Sequence, residues 1–208
     1  MNIEERIAKT YLVPVVVLED SANAVNTANA MLAGGVDIME ITLRTKAGID
    51  SINQVSKNCP DTLVGAGTVI TLDQCKAAID AGARFIVSPG YNGEIVRHCI
   101  DQKINVFPGC VTPTEIMQAV NDGLHIIKFF PANVYGGIGA MKALRGPFPQ
   151  IKFIPTGGVS LSNLAEYISP MILAIGGGWL CPTKEIDAHN FAAITEICKQ
   201  SIKVIKEN

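Results

Sequence analysis

Several things are scarce in this 208-residue chain, and each scarcity excludes something. Charged residues make up only 17% of it, and the 17 lysines and arginines are scattered under a net charge of −2. Such a surface has no basic patch for nucleic acid or an acidic membrane. No apolar run approaches the roughly 20 residues of a membrane span. The opening MNIEERIAKT lacks the basic end and apolar stretch of a signal peptide. The six cysteines (Cys59, Cys75, Cys99, Cys110, Cys181, Cys198) form no C-x-x-C pair and no metal spacing, so they read as reduced filler. There is no HExxH, no histidine pair and no carboxylate cluster for a metal. His98, His125 and His189 read as surface or helix positions. The expectation is a cytoplasmic protein with no metal, nucleic-acid or membrane partner. Apolar residues are plentiful at 48%, enough for one domain, 1–208, with a sizeable core.

Strand-like runs begin near Leu12, Asp37, Leu63, Arg84, Asn105, His125, Lys152 and Met171. Helix-period segments such as SANAVNTANAMLAGG, TLDQCKAAIDAGA and TPTEIMQAVNDG lie between them, opening on Ser or Thr and closing near Gly. Alternation of this kind implies a parallel sheet, and eight units in about 200 residues fit a small closed (β/α)₈ barrel. A doubly wound open sheet is the alternative, but no G-x-G-x-x-G follows the first strand.

In such barrels the chemistry sits at the carboxyl ends of the strands. Lys128 stands inside the apolar run HIIKFFP, which reads as a buried strand. Two readings follow. A desolvated lysine is a usable neutral nucleophile, whereas a strand-end lysine reaches water or pairs with a carboxylate. The second strand ends Glu40-x-Thr42-x-Arg44, three polar residues on one face. Strands two and six face each other across an eight-stranded barrel, which sets Glu40 opposite Lys128. Arg44 lies ~13 Å further towards the mouth, where its planar fork suits a carboxylate or phosphate. Gly157-Gly158 and Gly176-Gly177-Gly178 follow strands seven and eight, the recurrent phosphate position of this architecture. Gly90 and Gly109 read as simple turn residues. Together these groups suggest Schiff-base chemistry on a small keto acid, without a metal or other cofactor. Lys128 would be the nucleophile and Glu40 the proton shuttle.

The stretches GGVDIMEITLRT, VGAGTV, IVSPG, IIKFFPA, FIPTGGV and AIGGGWL resemble the 2-keto-3-deoxy-6-phosphogluconate aldolase / 4-hydroxy-2-oxoglutarate aldolase (KDPG/KHG) family, from Val13 to about Pro182. The resemblance implies a class I aldolase on a (β/α)₈ barrel with an extra N-terminal helix, here Ile3 to Thr10, assembled as a homotrimer. It implies Lys128 as the Schiff-base lysine and Glu40 as the general acid/base. Arg44 and Thr68 would hold the pyruvyl carboxylate, Pro89, Phe130 and Thr156 would line the pocket, and Gly157 and Gly158 would contact phosphate. Two positions depart from the family pattern. Gly178 stands where members acting on the phosphorylated sugar acid often have serine, which removes a hydroxyl worth about 1–3 kcal/mol to a buried phosphate. Asn133 replaces the glutamate that commonly follows K-F-F-P-A. Substrates within reach of the resemblance also include an epimeric, galactonate-derived sugar acid. Two other readings use the same residues: a non-covalent phosphate-binding isomerase or synthase with Glu40 as base, and a non-catalytic sugar-phosphate sensor.

Overall fold

Short runs of aliphatic and β-branched residues become the strands. In the computed structural model, which describes residues 1–208, β1 spans Leu12–Val16, β2 Ile38–Thr42, β3 Leu63–Gly67 and β4 Phe85–Val87. They are followed by β5 at Asn105–Phe107, β6 at Ile126–Phe129, β7 at Lys152–Pro155 and β8 at Ile175–Gly177. All paired strands run parallel, in a curled six-stranded sheet of order β5-β4-β3-β2-β1-β8 and a two-stranded sheet β6-β7. Isolated parallel bridges link the two sheets: Gly109 to Lys128 on one side, Phe153 to Ile172 and Thr156 to Gly176 on the other.

The helices between them are α2 (Ala24–Ala33), α3 (Gly48–Asn58), α4 (Leu72–Asp80), α5 (Gly93–Asp101), α6 (Pro113–Asn121) and α7 (Gly137–Arg145). Local chemistry starts several of them. Thr71 with Gln74, and Thr112 with Glu115, form reciprocal capping boxes for α4 and α6, and α6 carries Pro113 in its first turn. After β8 come the short α8 (Thr183–Asp187) and the long α9 (Phe191–Glu207). The alternation fails once. Between β7 and β8 there is only a 3₁₀ turn, Leu164–Tyr167, and regular pairing of β8 begins at Ile175 rather than near Met171. Apolar MILA carries the strand-like composition, but Ile172 makes just one bridge, to Phe153. No helix is long and apolar enough to cross a membrane.

Alternation along the strands sorts residues into two cores. Met39, Ile41, Val64, Ala66 and Ile127 face the helices, in one large cluster. Val13, Ile38, Leu63, Phe85, Phe107, Ile126 and Ile154 face one another on the inner side. The predicted N-terminal helix, α1, forms at Ile3–Thr10 with an Asn2–Glu5 capping box. Its Ile7 is fully buried in the inner cluster, a contribution of about 1.5–3 kcal/mol. A polar rim holds this helix at the amino ends of the strands: Arg6 Nε donates to Asp37 Oδ2 at 2.7 Å, Thr10 Oγ1 to Asp37 Oδ1 at 2.5 Å and Asn105 Nδ2 to Glu4 Oε1 at 3.2 Å. The helix thus covers the amino ends of the strands.

Candidate active site

On β2 the even positions turn inward, so Ile38, Glu40 and Thr42 rise towards the carboxyl end along one line. On β6 the same rule turns Ile126 and Lys128 inward. The Lys128 backbone is held along one edge by the segment that follows β5: its N–H donates to Pro108 O at 3.0 Å, and its carbonyl accepts from Cys110 N–H at 2.9 Å. Both side chains are buried, Lys128 at 6% and Glu40 at 2% exposure. Across the interior, Lys128 Nζ donates to Glu40 Oε1 at 3.4 Å. That is longer than the ~2.7–2.9 Å of a tight charge-assisted bond. The Phe130 ring lies 5.4 Å from Nζ, within cation–π range. The chain therefore does both things its apolar run allowed: Lys128 is buried, and its partner is a carboxylate.

Above this pair, Arg44 Nε donates to Thr68 Oγ1 at 3.2 Å. Thr68 adopts φ 56°, the left-handed region that a β-branched residue rarely enters, so its backbone stores strain of about 1–3 kcal/mol. Strain of that kind persists where the surroundings over-determine a position. A cavity of about 260 Å³ opens over the site, lined by Arg44, Phe130, Thr156, Gly157, Gly158, Gly177 and Gly178. Gly157 and Gly158 have φ of +94° and +76°, which an L side chain would resist, and their bare backbone fronts the cavity. A Cβ on Gly177 would lie 1.7 Å from Trp179. One at Gly178 would have nothing nearer than Val15 O at 3.7 Å.

Pro89 lines a neighbouring recess with Val69, Ile70 and Tyr91. Its carbonyl oxygen is 2.1 Å from where a Cβ of Gly109 would stand. Gly109, the ladder partner of Lys128, is thus more than the turn residue its sequence suggests. Gly90 has open space around it, in keeping with a turn. The residues that sequence reasoning missed are Val15, Val17, Val159, Cys181 and Thr183 at the cavity wall, and Gly67, whose missing side chain makes room for Glu40. Thr183 follows Cys181-Pro182 just past the Gly-rich segment, the one signal that could have placed it. Burial, and secondarily the neighbouring Cys198, push the Cys181 thiol well above the ordinary range, which disfavours the thiolate. No three His, Cys, Asp or Glu side chains are grouped so as to hold a metal ion.

A parallel α/β enzyme, with its polar groups gathered where the strands end, is the class this arrangement defines. The chain belongs to the aldolase family described as KDPG and KHG aldolase, whose model matches residues 3–197, and it is a carbon–carbon lyase. The 2-dehydro-3-deoxy-phosphogluconate aldolase of Treponema pallidum (strain Nichols) is 40% identical to it over 206 residues, covering 99% of this chain and 98% of that one. The KDPG aldolase of Legionella pneumophila, solved with pyruvate captured at low pH as a covalent carbinolamine intermediate, is similar at a TM-score of 0.91 and 38% identity, over 96% of this chain and 97% of that one. The corresponding enzyme of Zymomonas mobilis ZM4, with 3-phosphoglycerate, gives 0.89 and 35%, over 97% and 95%.

Proposed function

We propose that this chain is a class I aldolase that cleaves 2-keto-3-deoxy-6-phosphogluconate to pyruvate and glyceraldehyde 3-phosphate, 4-hydroxy-2-oxoglutarate to pyruvate and glyoxylate, or both. The observation that carries the proposal is the buried Lys128 Nζ, 3.4 Å from Glu40 Oε1 and beneath the Arg44–Thr68 contact. Lys128 as the free amine attacks the C2 ketone, and loss of water from the carbinolamine gives an iminium. Glu40 as carboxylate removes the proton of the C4 hydroxyl, the C3–C4 bond breaks, and its electron pair moves into the iminium to leave an enamine. The aldehyde departs, Glu40 returns its proton to C3, and hydrolysis frees pyruvate and Lys128. No step calls for a metal or a cofactor.

Arg44 and Thr68 hold the pyruvyl carboxylate, and Pro89, Phe130 and Thr156 wall the keto acid. Gly157, Gly158, Gly177 and Gly178 take the phosphate on backbone N–H groups. The chain acts as one domain, 1–208, in which the three isolated bridges support reading both sheets as one closed (β/α)₈ barrel. It assembles as a homotrimer in the cytoplasm. Exposed apolar side chains at Ile70, Met117, Val134 and Tyr135 support an oligomer. Six unbridged thiols, two of them 3.5 Å apart at Cys75 and Cys99, support a reducing compartment. The test is borohydride reduction in the presence of pyruvate. A stable adduct on Lys128 is expected, and labelling of another residue, or none, would overturn the proposal.

A further inference from the structure

Three buried side-chain hydroxyls have no hydrogen-bond partner: Thr42, Ser51 and Thr62. Ser51 lies on α3, and Thr62 sits at the entrance to β3, far from the carboxyl ends. Thr42 is different. It is fully buried, two residues beyond Glu40 on the inward face of β2, between Glu40 and Arg44. In register it stands beside Gly67 of β3. The inward side of Gly67 is where the Glu40 carboxylate goes, since a Cβ there would lie 2.1 Å from Glu40 Oε1. The carboxylate of Glu40 therefore reaches up into the layer of Thr42. A buried hydroxyl without a partner is uncommon and calls for a reason.

Schiff-base turnover supplies one. Glu40 has a single hydrogen-bond donor, Lys128 Nζ at 3.4 Å, whereas an ionised carboxylate accepts several. When Nζ becomes bonded to C2 it keeps at most one N–H, now fixed in direction by the iminium plane. Glu40 then needs another donor at the stage when it must carry a proton between the C4 hydroxyl and C3. We infer that Thr42 is a positioning residue for Glu40. Its hydroxyl donates to the Glu40 carboxylate once Lys128 is engaged, and so aims the free oxygen at the reacting carbons. The inference rests on the Schiff-base reading of Lys128 and Glu40 and goes beyond it by adding a third member.

The test pairs Thr42→Val, which keeps the shape and removes the hydroxyl, with Thr42→Ser, which keeps the hydroxyl. Three quantities are read: borohydride trapping of pyruvate on Lys128, exchange of pyruvate C3 protons with deuterium followed by NMR, and Tm. For Thr42→Val, trapping is expected to persist, while exchange and kcat fall about tenfold or more with KM little changed. Its Tm should hold or rise, because an unpaired buried hydroxyl is lost. Thr42→Ser should recover most of the exchange rate. Exchange in Thr42→Val close to wild type overturns the inference. So does a parallel loss of trapping, exchange and Tm that serine fails to rescue, the mark of a purely structural residue. Absence of trapping in the unsubstituted protein would instead strike at the Schiff-base reading itself, so the two failures are distinguishable.

Discussion

Lys128 Nζ lies 3.4 Å from Glu40 Oε1, with the two side chains only 6% and 2% exposed. A buried ion pair is a poor way to stabilise a fold, because desolvation offsets most of the attraction. Replacing both partners by apolar residues of similar size is often neutral or stabilising by about 1–4 kcal/mol. The double substitution Glu40→Leu with Lys128→Met should therefore give an inactive protein whose Tm is no lower than wild type. Single changes separate the chemical roles. Lys128→Ala should abolish both turnover and the borohydride adduct while keeping the fold. Glu40→Gln should still form the adduct but lose about 10²–10⁴-fold in kcat. Pyruvate-release assays, mass spectrometry and thermal melts read all three.

The proposed phosphate end offers a gain-of-function experiment. A side chain at Gly177 would meet Trp179 at 1.7 Å, and one at Gly158 would meet Asn133 at 2.3 Å, but Gly178 has 3.7 Å of room. Gly178→Ser should therefore fold unchanged and add one hydroxyl donor to the cavity lined by Gly157 and Thr183. One hydrogen bond to a charged group is worth ~1.5 kcal/mol, or about tenfold in KM for a phosphorylated aldol. KM for 4-hydroxy-2-oxoglutarate should not move. Steady-state kinetics on the two substrates check the difference.

Two glycines on the inner face of β3 make a contrasting pair. A Cβ on Gly65 would lie 2.4 Å from the ring of Phe85, and one on Gly67 would lie 2.1 Å from Glu40 Oε1. Phe85 is fully buried and packed against Phe107 with ring centroids 6.0 Å apart, so it has nowhere to yield. Gly65→Ala should destabilise the fold by about 1–3 kcal/mol through overpacking. The end of the Glu40 side chain can yield, so Gly67→Ala should be milder in stability. It should be harsher in rate, since a misplacement of about 1 Å near the chemistry costs roughly 10²-fold. Urea titrations and kcat measured on both variants should rank them in opposite orders.

These glycines also mark how far the sequence could be read. Lys128 in HIIKFFP and the Glu40-x-Thr42-x-Arg44 alternation are signals within one strand, because the period of two dictates which side chains share a face. The capping boxes at Thr71 and Thr112 are equally local. The need for Gly67 and Gly109 arises across strands, from the Glu40 carboxylate and the Pro89 carbonyl, and no single segment carries it. The missing seventh helix is of the same kind. Ser160–Pro170 has enough polar and apolar residues for a helix, but its ends are bound early. Asn163 Oδ1 takes the Ser160 N–H at 2.8 Å, and Tyr11 Oη donates to Ser169 O at 3.2 Å. What remains between them accommodates only the 3₁₀ turn at Leu164–Tyr167. Pro89 was placed in the pocket through the family resemblance, and its carbonyl oxygen stands where a Cβ of Gly109 would be.

The cap of α6 is testable by pH. Glu115 Oε2 accepts from Val111 N–H at 2.9 Å, Thr112 N–H at 2.9 Å and Thr112 Oγ1 at 2.8 Å. Burial pushes this carboxyl up, but the three hydrogen bonds outweigh it and hold the carboxyl below its ordinary value of 4.5. A carboxylate depressed in the folded state contributes stability above its unfolded pKa and loses that contribution as pH falls through the folded one. Glu115→Ala should therefore lower stability by about 1 kcal/mol at neutral pH. The deficit should narrow steadily once the pH drops below 4.5, where the wild-type side chain becomes protonated as well. Urea denaturation of both proteins across that range reads the gap directly. A deficit of constant size would mean that the cap works through shape alone, without the charge that the first turn of a helix favours.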